Sequence, residues 1–331
     1  MKILVTGGAG FLGQQLLRAI LDAGTLRLAD DDGKATEHPV SRIVSFDVVA
    51  GRIQDPRVDN RTGDIGDPAT VAGLVDRDTA VVVHLAAVVS GTAEADFELG
   101  MRVNLDGTRN LLEACRNAGH RPRVLYSSSI AVFGGDLPPV VTDATTPTPQ
   151  GSYGIQKLVG ELLVQDYTRR GFIDGRSVRV PTATVRPGKP NGAASGFASG
   201  IIREPLAGVE AILPVPLETA MWVASPRTIV GMFLHALALP PSAWGWNRSI
   251  NLPGFVVTMA DALATLREVG GEAAARLVRY EPDPQVQKLV STWAAHFDTA
   301  RANAMGFETD RDFGQIVRAY VEDNPDAVRL P

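Results

Sequence analysis

Cysteine is almost missing from this chain of 331 residues: Cys115 stands alone, so no intrachain disulfide and no thiolate cluster can form. Histidine is equally thin, and His38, His84, His120, His235 and His296 show no metal-ligand spacing. Excess charge is scarce too, since 32 Lys plus Arg face 37 Asp plus Glu, a net charge of −5. Without a basic surplus the chain is not a general binder of nucleic acid or anionic membrane, which needs cations to displace phosphate counterions. No apolar run approaches the roughly 20 residues of a membrane span, and Ile3-Leu4-Val5-Thr6 is too short for a leader's core. These absences predict a cytoplasmic protein that folds from residue 1, without metal. What is present is an ordinary globular share of hydrophobic residues, 45%, and enough length for about two domains at roughly 150 residues each.

Short apolar runs over 3–6, 42–48, 80–87, 123–127 and 177–185 read as buried parallel strands. Helical spacing separates them: 12–21 up to Gly24, a short stretch over 67–75, and long stretches over 93–118 and 153–170. This alternation predicts an α/β fold, a Rossmann-type doubly wound parallel sheet with ligands at the carboxyl ends of its strands. Residues 24–42 read as a polar insertion. From Pro187 the composition turns to Gly, Ala, Ser, Pro and Asn, with weaker helical patterns near 226–239, 259–269 and 311–322. The expected division is a nucleotide domain over 1–187, with a returning segment near 226–255, and a smaller C-terminal substrate-binding domain over 188–225 and 256–331.

Thr6-Gly7-Gly8-Ala9-Gly10-Phe11-Leu12-Gly13 lies between the first strand and the first helix. Gly7 suits a tight turn, Gly10 lets backbone amides approach a pyrophosphate, and Gly13 permits close helix packing, while the helix N-terminus favours the anion. A ribose hydroxyl then needs a carboxylate. Asp30 has the usual interval of about 20 residues after Gly10, whereas Asp47 closes the better strand and is preferred. Either acid would repel the extra phosphate of NADP. Asp64, in Gly63-Asp64-Ile65, is a candidate for the adenine side.

Tyr153 and Lys157 stand four residues apart on one predicted helix, so both reach one small molecule. A free phenol ionises near pH 10, and a three-unit drop corresponds to roughly 4 kcal/mol, the direction in which an ammonium and a nicotinamide cation act. Tyr153 can then be general base towards an alcohol. Ser127, Ser128 and Ser129 end a strand at the predicted crevice, where a hydroxyl could orient a substrate or satisfy backbone.

Taken jointly, the glycine turn, Gly63-Asp64-Ile65, His84-Leu85-Ala86-Ala87, Asn104-Leu105-Asp106-Gly107-Thr108, the serine run, and Tyr153 with Lys157 resemble the extended short-chain dehydrogenase/reductases. Val88-Val89-Ser90-Gly91, 129–135, Arg186-Pro187-Gly188-Lys189-Pro190-Asn191 and 197–206 are similar, more narrowly, to that family's sugar-acid dehydrogenases. The resemblance implies NAD as cofactor and oxidation of the 2-hydroxyl of a four-carbon aldonate, D-erythronate, to its 2-keto acid. It assigns Tyr153 as base, Lys157 as ribose contact, Ser129 as substrate-orienting hydroxyl, and Asn104 as support for the lysine through water. It places Gly7, Gly10, Phe11, Leu12, Gly13, Asp47, Asp64, Ile65, Leu85, Ala86, Ala87, Ser127, Pro181 and Thr182 at the cofactor, and also favours Asp47 over Asp30. Two positions depart from the common pattern: Phe133 replaces a tyrosine, and Pro181-Thr182 replaces an aromatic and Asn run. A homodimer through the two long helices is implied as well.

An aldonate's carboxylate needs local donors, and Ser90, Lys189, Asn191 and Arg203 are the candidates. A nucleotide-sugar 4-epimerase uses the same Ser, Tyr and Lys set, so it stands as the alternative, with a non-catalytic NAD-binding sensor or scaffold as the second.

Overall fold

The computed structural model describes residues 1–188 and 194–329, so the predicted substrate contacts Lys189 and Asn191 lie outside the described residues. Two compact units emerge. The first comprises Met1–Val132, Gly151–Val180 and Val230–Asn251, and the second Phe133–Gln150, Pro181–Ile229 and Leu252–Pro331.

The first unit is built on seven strands: β1 (Lys2–Thr6), β2 (Arg42–Asp47), β3 (Val58–Thr62), β4 (Thr79–His84), β5 (Arg123–Ser129), β6 (Asp174–Val180) and β7 (Ser249–Asn251). They pair in parallel in the order β3-β2-β1-β4-β5-β6-β7. Chain direction across the sheet reverses beside β1, and the carboxyl ends of β1 and β4 border the switch point where such folds take a ligand. The inner strands β1, β2 and β4 are buried on both faces. Leu4, Val44, Val82 and Val124 share one core with Leu111, Leu112 and Val164, while Ile3, Val5, Ile43 and Val81 are fully buried as well.

Three helices of this unit frame the site: α1 (Phe11–Ala23), α2 (Gly107–Ala118) and α3 (Ser152–Arg169), of which α1 and α3 carry site residues. α1 stops where the sequence indicates, at Gly24 in the left-handed region (φ 68°), whose amide donates to the Ile20 carbonyl. The polar insertion folds as an antiparallel hairpin, Thr25–Ala29 with Ala35–Pro39, outside the central sheet. The expected single helix over 93–118 is instead broken. Ser90–Ala95 and Phe97–Gly100 are short helices separated at Asp96, whose side chain caps Leu99, and a π-helical turn, Met101–Asp106, precedes α2.

The second unit has a three-stranded sheet, Thr182–Ala183 beside Ala220–Ala224 beside Phe255–Thr258, and a two-stranded pair, Ala211–Leu213 with Val278–Tyr280. Helices Gly196–Leu206, Met259–Ala275 and Phe313–Asp323 bury Ile201, Ile202, Leu266, Ile316 and Val317 together. Among the described residues no helix is long and apolar enough to cross a membrane.

Candidate active site

The glycine turn after β1 is shaped by backbone contacts that leave no room for side chains. Gly7 adopts φ +74°, its amide donates to the Phe46 carbonyl at 2.8 Å, and a Cβ there would lie 2.7 Å from the Ala86 amide nitrogen. A Cβ on Gly13 would lie 2.2 Å from the Gly7 carbonyl oxygen, which is why the helix can pack so closely on the turn. Gly10 caps α1 with extended backbone and no side-chain bond, and the first helical turn holds no acid. The first-turn amides, including those of Phe11 and Leu12, have no intrahelical acceptor, so this end of α1 fits an anionic diphosphate.

Asp47 ends β2 beside this turn: its Oδ2 accepts from the Ala9 amide at 3.0 Å and its Oδ1 from the Val48 amide at 2.7 Å. Asp30 sits in the hairpin instead, where its Oδ1 accepts from the amides of Asp32 and Lys34. The geometry therefore brings Asp47, not Asp30, to the glycines. Leu85 and Ala86 join the same edge, their amides donating to the carbonyl and hydroxyl oxygens of Thr6, and Ala87 follows them directly. Asp64 is paired with Arg102 and accepts from the Gly66 amide. The side chain of Ile65 is buried in the core, and its carbonyl accepts from Asn110 Nδ2 at 3.2 Å.

Tyr153 and Lys157 lie in the first turns of α3, which begins after Gly151 with the Ser152 amide donating to Glu94 Oε2 at 2.9 Å. Lys157 is 3% exposed. Its Nζ donates to the Ser127 carbonyl at 2.8 Å and lies 4.9 Å from the Tyr126 ring centroid and 5.7 Å from that of Tyr153. Burial pulls its pKa down to about 8, with the Glu161 carboxylate acting the other way. At neutral pH the ammonium still predominates by about ten to one. Gly160 makes room for this arrangement, since a Cβ there would lie 2.2 Å from the Tyr126 hydroxyl.

This lysine carries a pH signature. Its folded pKa lies below its ordinary value of 10.5, so between pH 8 and 10.5 the unfolded chain binds more protons and stability rises with pH. The unfolding free energy of wild type relative to Lys157→Met should therefore rise by roughly 3 kcal/mol across that window in denaturant titrations. A difference independent of pH contradicts the buried ammonium.

The three strand-end serines divide their tasks. Ser127 offers its carbonyl to Lys157, as above. Ser128 is buried, donating to Glu161 Oε1 at 2.5 Å, and Glu161 in turn accepts from Arg179. Ser129 accepts from the Ala131 amide at 3.1 Å and is only part-buried. Asn104, 1% exposed, sits in the π-helical turn with Oδ1 accepting from the Val88 amide and Nδ2 donating to the Val88 carbonyl and to Gln156 Oε1. Its backbone carbonyl accepts from the Thr108 hydroxyl at 2.6 Å, so His84 Nε2 must donate to Thr108 and Nδ1 accept from Thr6. Burial pushes the His84 pKa down to about 3, and a neutral imidazole satisfies every bond in this chain. Gln156 and Glu161 carry no motif of their own, and only their burial in the folded helix face marks them out.

Ser90 opens a short helix of the first unit. Pro181, Thr182 and Arg203 belong to the second. Arg203 is 8% exposed, and its guanidinium donates to the Arg186 carbonyl and pairs with Glu204, so it is already neutralised within that unit.

Known proteins share this fold and sequence. Residues 3–220 match the family model described as the NAD dependent epimerase/dehydratase family. The chain is 54% identical over 324 residues to the D-erythronate dehydrogenase of Cupriavidus necator, covering 98% of both chains. It is 41% identical to that of Haemophilus influenzae, covering 97% of this chain and 99% of the relative. A crystal structure from Agrobacterium tumefaciens, described as a nucleoside-diphosphate-sugar epimerase, superposes with a TM-score of 0.92 at 41% identity, covering 100% of this chain and 96% of that one. With its seven parallel strands, its glycine turn and the Tyr153–Lys157 pair, the chain belongs to the NAD dependent epimerase/dehydratase family, of extended short-chain dehydrogenase/reductase type.

Proposed function

We propose that this chain is an NAD-dependent dehydrogenase that oxidises the 2-hydroxyl of D-erythronate to 2-keto-D-erythronate. The observation that carries this is the 54% identity, over nearly the full length of both chains, to a dehydrogenase named for that substrate. Bound NAD supplies the acceptor for the hydrogen and electron pair that leave C2. The glycine turn holds the diphosphate and Asp47 the adenosine ribose hydroxyls. Tyr153 takes the proton of the 2-hydroxyl as the carbonyl forms, and Ser129 orients that oxygen. Lys157, cationic at neutral pH and held by the Ser127 carbonyl, favours the negative charge the phenol carries as a base and reaches the nicotinamide ribose.

The first unit is the nucleotide domain and the second the substrate domain, with Ser90, Lys189, Asn191 and Arg203 recognising the acid. The protein works as a cytoplasmic homodimer. Because Arg203 already faces Glu204, Lys189 is the stronger cation for the carboxylate. Lys189→Ala should raise KM for D-erythronate about tenfold with NAD affinity unchanged, as expected for a lost charge-assisted bond. Steady-state kinetics at fixed NAD check this, and an unchanged KM removes Lys189 from the site.

The epimerase reading is the second, favoured by the likeness to the Agrobacterium protein described as a nucleoside-diphosphate-sugar epimerase. Following NADH formation with four-carbon aldonates against UDP-sugars separates the two. NADH should form with D-erythronate and not with a nucleotide sugar; epimerised UDP-sugar without net NADH would overturn the dehydrogenase reading.

A further inference from the structure

We propose that Gln156 is a positioning residue of this reaction, clamping Asn104 and its π-helical turn onto the helix that carries Tyr153 and Lys157; this rests on the dehydrogenase reading above. The Asn104 amide has no freedom of assignment. Its Oδ1 must be the acceptor of the Val88 amide at 2.9 Å and its Nδ2 the donor to the Val88 carbonyl at 3.1 Å. The remaining Nδ2 hydrogen therefore points at Gln156, which must present Oε1, at 2.8 Å. That leaves Gln156 Nε2 buried with no hydrogen-bond partner among the described residues, in a residue 1% exposed, an arrangement kept although it leaves a polar group unsatisfied. The amide also fills the space over Gly100, where a Cβ would lie 2.7 Å from Nε2 and 3.2 Å from the Ala93 Cβ.

The location gives the bond its consequence. π-helical turns are rare, occur as single turns within α-helices, and concentrate at functional sites. Here the turn is fixed from both sides: the Thr6, His84 and Thr108 chain holds the Asn104 carbonyl, and Gln156 holds its side chain. Gln156 immediately precedes Lys157. Loss of the clamp therefore frees Asn104 to rotate away from Val88 and loosens the support of the lysine, without touching the glycine turn.

The test compares full-length Gln156→Leu, which loses the acceptor at similar volume, with Gln156→Glu, which keeps an acceptor oxygen. In Gln156→Leu, kcat for D-erythronate should fall about tenfold or more with NAD dissociation constant within about twofold, since misplacement of a supporting group acts on the reacting geometry. The Val88 amide, read by hydrogen–deuterium exchange, should exchange about tenfold faster as its acceptor loosens. Both changes should be largely reversed in Gln156→Glu. Equal impairment of the two variants, or a Leu variant with unchanged kcat and unchanged Val88 exchange, overturns the proposal. Should Gln156→Leu fail to fold, Gly100→Ala displaces the same amide and should show the same pair of changes. A wild type that does not turn over D-erythronate defeats the functional reading, and Val88 exchange then decides the Gln156 clamp by itself.

Discussion

Replacing Tyr153 by phenylalanine is expected to lower kcat for D-erythronate about a thousandfold, the scale of a lost general base, while NAD still binds. The substitution removes one oxygen from a half-buried ring, leaving the ring's packing and Lys157's bond to the Ser127 carbonyl in place. The lysine lies 5.7 Å from the ring centroid and is mostly an ammonium at neutral pH, so it has no lone pair with which to take the substrate proton in the phenol's stead. Kinetics and NADH-fluorescence titration should therefore separate, with turnover lost and affinity kept within about threefold. Substantial remaining turnover would assign the base elsewhere, and joint loss of turnover and affinity would show a folding defect.

A stability effect of comparable weight is expected at Asp174, far from the proposed chemistry. This carboxylate is 5% exposed and accepts from Arg123 Nε at 2.8 Å and Arg176 Nη2 at 2.5 Å. The two guanidiniums also take backbone carbonyls where a strand and a helix end: Arg123 donates to Leu237 and Ala29, and Arg176 to Ala236, Leu237 and Leu239. Arg176 is wholly buried, and burial lowers its pKa to about 9 even beside the acid. Asp174→Asn leaves two cations in the interior with no counter-charge, which should cost about 3–5 kcal/mol in denaturant unfolding. A loss below about 1 kcal/mol would mean that the carbonyls alone hold the cluster.

The two sites differ in how far they can be read from sequence. The glycine turn, β2 and the Tyr153–Lys157 pair are legible because apolar period, glycine spacing and i, i+4 geometry are local properties. Asp47 is preferable to Asp30 because Ile43-Val44-Ser45-Phe46 is a buried run, and the structure indeed puts Asp30 in a hairpin. β3 is not legible: Val58–Thr62 is polar and half-buried, and it becomes a strand only through pairing with β2. The expected long helix over 93–118 fails at Asp96, which leaves helical geometry and caps the next turn, and the π-helical turn beyond it has no local sequence signal. Asp174 and Gln156 are invisible for a related reason, since burial of a polar side chain is a tertiary fact that its neighbours in sequence do not encode. The pairing of Arg203 with the adjacent Glu204 is likewise set by tertiary burial and is not legible from its position in the sequence.

The most direct measurement on the central claim, that C2 is the carbon oxidised, uses D-erythronate carrying deuterium only at C2. With NAD and the wild-type enzyme, the label should be recovered in the reduced dinucleotide, one deuterium per 2-keto acid formed. Label retained in the organic product, or released to water, would contradict oxidation at that carbon and with it the role given to Tyr153.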